Sequence, residues 1–182
     1  CCPLFMALLL TAPALSQDKP TEKPGPSPEQ IEAAVQQLKL GFESKEVPVR
    51  LDAVKEALKT SCEEVAKALG KYGLRDKEVN VKQATINSLG HMLVPAALEE
   101  LLDHGRLAKR DLEDDPATHT LLIKSIGRHD SEEAIPYLIK DLFSVKDRRV
   151  VQARILSLGR VRSVDSVEAL ISMSRKAGGR RG

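Results

Sequence analysis

The chain has 182 residues, enough for one domain with a tail, and its 42% hydrophobic content suffices for a core. Aromatic residues make up only 3% and tryptophan is absent. That disfavours strands and removes the usual stacking platforms for nucleobases. The net charge of +2 is too small by itself to point to nucleic acid.

Residues 1–16 read CCPLFMALLLTAPALS. The apolar run from Leu4 to Leu10 is far below the ~20 residues that span a bilayer, so no membrane span is expected. Ala14 and Ser16 precede Gln17 at signal-peptidase spacing, which predicts an incomplete signal peptide cleaved after Ser16 and a secreted or periplasmic protein. Residues 17–28 hold four prolines and no apolar anchor, as a disordered linker would.

A helical domain is predicted over 29–176. Ser27-Pro28-Glu29-Gln30 is a capping box with proline at the first helical position. Ile31, Ala34, Val35 and Leu38 form the apolar stripe that follows, and Gly41 is expected to end it. A second helix is predicted over 48–59. Ser61-Cys62-Glu63-Glu64 reads as another capping box, opening a helix through Val65, Ala68, Leu69 and Tyr72. Gly73 and Asp76 mark a turn before a helix at 78–90. The polar stretch 104–115 reads as an insertion loop with room for one extra helical turn, and Asp115-Pro116 starts the next helix. Asp130-Ser131-Glu132-Glu133 caps a later one. Residues 177–182 read as a basic disordered tail.

One octapeptide recurs through this domain. Gln83–Gly90 reads QATINSLG and Gln152–Gly159 reads QARILSLG. A weaker copy ends Ile123-Lys124-Ser125-Ile126-Gly127, and a remnant lies at Val49–Ala53. Gly127 to Gly159 is about 32 residues and Gly90 to Gly127 about 37, the periods of a repeat array. Val151, Ile155 and Leu158 share one helical face, and the small residues Ala153 and Ser157 allow close approach. The terminal glycine is expected to enter the left-handed conformation. A second pattern, at Leu93–Leu98, Ala134–Ile139 and Ser166–Ile171, follows each glycine, so two different helices alternate.

This alternation resembles HEAT repeats, in particular the short bacterial kind also seen in phycobilin lyases, whose inner helix reads approximately V-R-x-x-A-x-x-x-L-G. Val49-Arg50-Leu51-Asp52-Ala53 carries the first half. Val81-Lys82 and Leu89-Gly90 carry both ends, with lysine for arginine and Thr85 for alanine. Residues 118–127 lack the Val-Arg start, and Val151 replaces the arginine of the last copy. The resemblance covers residues 28–176. It implies an all-α, right-handed α-solenoid of about four HEAT-like helix pairs, its inner helices lining a concave face. It further implies a scaffold that binds other macromolecules rather than an enzyme. A cofactor-handling accessory role, like that of the lyases, rests on fold analogy alone.

No catalytic or metal-ligating constellation stands out, and no cofactor is expected. His91, His104, His119 and His129 lack ligand spacing and read as isolated surface or helix-end residues. Glu113-Asp114-Asp115 lacks the alternating oxygens of a calcium loop and suits the start of a helix. Cys62 reads as a small, partly buried helix residue. Charge is the informative feature: on the predicted inner helices bases exceed acids by about seven. Arg50, Lys82, Lys124, Arg128, Arg148, Arg149, Arg154 and Arg160 are therefore the expected partner-binding face. A protein partner presenting an acidic segment suits it. Polyanion or nucleic-acid binding along the same face is the alternative. The low net charge, missing tryptophan and export signal oppose it.

Overall fold

A computed structural model describes residues 25–140, 142 and 145–178 of the chain. The signal-peptide reading and most of the linker lie outside the described residues, as does the end of the basic tail. The described residues are all-α: ten helices and one 3-10 turn, with no strand.

Ser27 opens α1 (Pro28–Glu43) with the predicted capping box, its hydroxyl accepting from the Gln30 amide while Gln30 reaches back to the Ser27 amide. Gly41 does not end this helix. It lies inside it, where the Ala53 side chain of the next helix leaves no room for a Cβ. α2 spans Val47–Ala57 and α3 spans Glu63–Tyr72. The second capping box does not form, because Cys62 and not Ser61 is the N-cap and no side chain caps it. α4 (Val79–Leu89) holds the first octapeptide. α5 (Pro95–Leu107) runs on through the stretch expected to be a loop, and α6 (Lys109–Asp114) fills most of the rest. The only buried residue of α6 is Leu112. Asp115 caps α7 (Pro116–Ile126) by accepting from the Ala117 and Thr118 amides. After the 3-10 turn Glu132–Ala134 come α8 (Ile135–Ile139), α9 (Arg148–Leu158) with the second octapeptide, and α10 (Val164–Gly178), which extends past residue 176.

The helices pack in two rows. In one, α2, α4, α7 and α9 each lie on the next; in the other, α1 packs on α3 and α3 on α5. The rows join through α1 on α2, α3 on α4 and α5 on α7, while α8 and α10 cover α9. The core runs between them, with Leu38, Val54, Leu69, Ile86, Leu101, Ile123, Leu138 and Leu158 sealed from solvent. Phe42 and Tyr72 stack 6.2 Å apart between α1 and α3.

The helices of the first row are in register. Their N-caps are Glu46, Glu78, Asp115 and Asp147. Counting from those caps, Ser88, Ser125 and Ser157 are equivalent, as are Gly90, Gly127 and Gly159. The glycines are not left-handed: φ is −66° at each, and no described glycine has positive φ. Their role is close approach. A Cβ on Gly90 would strike Ser125, and one on Gly127 would strike Ser157. Each glycine thus seats the serine of the following unit. Glu56 holds the serine position of the first unit and is exposed, ion-paired to Lys59 at 2.7 Å.

Hydrogen bonds repeat the same link. Arg128 Nη1 donates to Asn87 Oδ1 at 3.0 Å, and the His129 ring lies 3.2 Å from the Leu89 carbonyl. Asp130, at φ 50°, accepts from the Arg162 amide. Aspartate tolerates that left-handed region better than most side chains.

Candidate binding surface and cavity

The eight basic residues singled out in the sequence do not form one face. Arg50 is buried at 4% exposure, its guanidinium forked onto Asp76 at 2.7 and 3.3 Å. It also donates to the Ser44 and Lys45 carbonyls. Arg154 is buried at 6%, donating to the Lys140 carbonyl with its guanidinium 5.7 Å from the Tyr137 ring centre. Both arginines are therefore structural contacts within the protein, because the helix turns them toward neighbouring elements. Lys82 is half-buried, and its charge helps hold the Asp115 carboxyl below the usual range, after the larger effect of the Thr118 hydroxyl. It occupies the position of Arg50 one unit on, and faces the next helix start in a similar way.

Lys124, Arg148, Arg149 and Arg160 are exposed and Arg128 is half-buried. Arg149 pairs with Asp147 at 2.8 Å and its hydrogen bond holds that carboxyl at about 2. Arg128 and Arg160 directly follow the equivalent glycines, so they stand at matching C-terminal ends of α7 and α9, where the helix dipole favours a cation. Arg148 and Arg149 begin α9, roughly 16 Å away along the helix. The structure therefore brings Lys124, Arg128 and Arg160 toward one edge of the row and sets the other exposed pair at the opposite edge.

A cavity of about 750 Å³ opens where α5 to α9 meet. Its wall includes Gly105, Leu112, Pro116, His119, Tyr137, Val145, Val150 and Arg154, with charged residues around them. His119 departs from the surface reading: it is only 7% exposed. Burial pushes its pKa below the ordinary histidine value, as does the nearby Arg154 charge. Its Nε2 is buried with no hydrogen-bond partner. Tyr137 lies so close to Gly105 that no Cβ fits there, and burial raises its phenol pKa. Sequence reasoning missed this site. The available signals were the longer middle period, which accommodates α6, and His119 at the position held by Arg50 and Lys82 in the two preceding units.

Glu113 and Asp114 end α6, and Asp115 serves as the cap of α7. Among the described residues no group of three histidine, cysteine or acidic side chains could hold a metal ion. Cys62 is half-buried, and its thiol pKa is raised by burial, away from the reactive thiolate. No described helix is long and apolar enough to cross a membrane. No protein-family model matches the chain, and no curated protein matches it.

Proposed function

We propose that the two rows form a right-handed, HEAT-like α-solenoid of about four helix pairs. The chain is then a non-enzymatic, exported scaffold that takes an acidic segment of a partner protein along the first row. One observation carries this reading. Three carboxylates of that row, Asp52, Glu56 and Asp147, are paired with their neighbours Lys55, Lys59 and Arg149. Lys124, Arg128, Arg148 and Arg160 form no ion pair among the described residues. Their charge remains available to an outside carboxylate, and charge of this kind steers encounter and fixes register.

The buried arginines are unsuited to testing it, because reversing them would disrupt the fold. The triple variant Lys124→Glu, Arg128→Glu, Arg160→Glu leaves both buried arginines in place and loses only the Arg128–Asn87 hydrogen bond. A fluorescent oligo-glutamate peptide should bind the parent chain at ~0.05 M salt and be released as salt shortens the Debye length. The triple variant should bind it at least about tenfold more weakly, with an unchanged helical signal. Equal affinity in parent and variant would sink the proposal, and so would tighter capture of a DNA duplex than of the peptide.

A further inference from the structure

The cavity opens at the starts of α7 and α9, is not lined by Lys124, Arg128 or Arg160, and has its own chemistry. Its volume of about 750 Å³ falls within the range of small-molecule pockets. Apolar surface from Leu112, Val145 and the Tyr137 ring lines part of it. Five basic residues of the wall stand against three acidic ones. Of these, Lys140 and Lys146 are exposed and stand at the rim, as do Glu113 and Asp114, while Arg106 is engaged by Asp103 and Asp147 by Arg149. At the buried side stands His119. A buried ring nitrogen without a partner is rare and costly, and the cavity is where a partner can come from. The Leu112 backbone lies close enough to raise the ring's basicity slightly, against the larger effect of burial. A neutral imidazole has one nitrogen that donates and one that accepts, so a ligand group reaching Nε2 can satisfy it.

We propose that this cavity binds a small organic anion with a flat apolar body. The body lies against Leu112, Val145 and Tyr137, the anionic group faces Lys140 and Lys146, and an N–H or O–H of the ligand donates to His119 Nε2. Burial lowers the pKa of the imidazole, so at pH 7 it is not a further cation and can accept a hydrogen bond from the ligand.

Two probes of nearly the same shape separate the parts. Indole-3-acetate has a carboxylate, a flat bicycle and an N–H; 1-naphthaleneacetate lacks only the N–H. The chain has no tryptophan, so indole emission is read without background. The parent protein should bind both and prefer the indole by about fivefold, the contribution of one hydrogen bond. His119→Leu should erase that preference and leave naphthaleneacetate binding within about twofold. Lys140→Glu with Lys146→Glu, both at exposed positions, should weaken both probes about tenfold and serves if the histidine variant does not fold. No binding of either probe at ~1 mM would overturn the proposal. A preference that survives in His119→Leu, or affinities unmoved by the lysine reversals, would overturn it as well.

Discussion

The Arg50 guanidinium makes four hydrogen bonds inside the protein, two to Asp76 and two to the carbonyls that end the α1–α2 turn. A planar fork suits a carboxylate in a way a lysine ammonium cannot. Asp76→Ala leaves that charge buried and unpaired, and should cost about 3–5 kcal/mol in urea denaturation. A loss below ~1 kcal/mol would show that water reaches the guanidinium after all. The sequence made Arg50 look like charge on offer; its partner lies in a later turn, and only the folded path of the chain brings the two together. Histidines carry a second residue-scale consequence. Burial is the largest cause pushing His104, His119 and His129 below the ordinary value of 6.5. The unfolded chain takes up these protons first, so their contribution is complete above ~6.5 and drains as pH falls below it. Thermal midpoints should stay level from ~8 to ~7 and decline between ~6.5 and ~5, before the depressed carboxyls of Asp115 and Asp147 add their own loss below ~4. His129→Gln should make the upper part of that decline shallower. A midpoint unchanged down to ~5 would contradict the assignment.

At the scale of helices, the octapeptide is a contact device. Gly90 and Gly127 seat Ser125 and Ser157, whereas a Cβ at Gly159 would meet only its own helix backbone at 3.6 Å. All three have helical φ, so alanine is allowed by the backbone at each. Gly90→Ala and Gly127→Ala should then each lose about 1–3 kcal/mol through overpacking. Gly159→Ala should lose nothing and could gain about 0.4–1 kcal/mol from a stiffer unfolded chain. Equal losses at all three sites, measured by urea midpoint, would refute the contact reading. Helix starts were legible where a side chain supplied the missing acceptor, as at Ser27 and Asp115. Gly41 misled because glycine is permissive both as a helix terminator and as a site of close packing, and only the neighbour, Ala53, decides between them. α6 was legible only as room for one extra turn, because it is six residues long with one buried side chain, too short to display a period.

Across the whole molecule, the all-α character was legible, because the octapeptide of α4, α7 and α9 returns with the same serine and glycine at spacings of about 37 and 32 residues. The cavity was not, since its wall is drawn from five helices and none of them carries a pattern of its own. The basic face was legible only as composition: charge counts along a helix do not say which bases turn inward, and Arg50 and Arg154 do. The two ends of the first row also differ. At the α9 end, Ile155 is 40% exposed although its equivalents Ile86 and Ile123 are sealed, and Gly159 stands open. At the α2 end, Glu56 occupies the place where each later unit has a serine. If two copies met head to tail in the same register, Gly159 of one would receive Glu56 of the other, a charged side chain in a space cut for a hydroxyl. Burying that carboxylate there would take it from water and from its Lys59 partner, which is unfavourable. Glu56→Ser removes that obstacle, and should sediment as larger species than the parent at equal concentration. Unchanged sedimentation would count against Glu56 as the barrier. A heterologous contact that does not close on itself grows into an open fibre. One carboxylate at the α2 end would thus oppose head-to-tail growth of the row and give it a polarity.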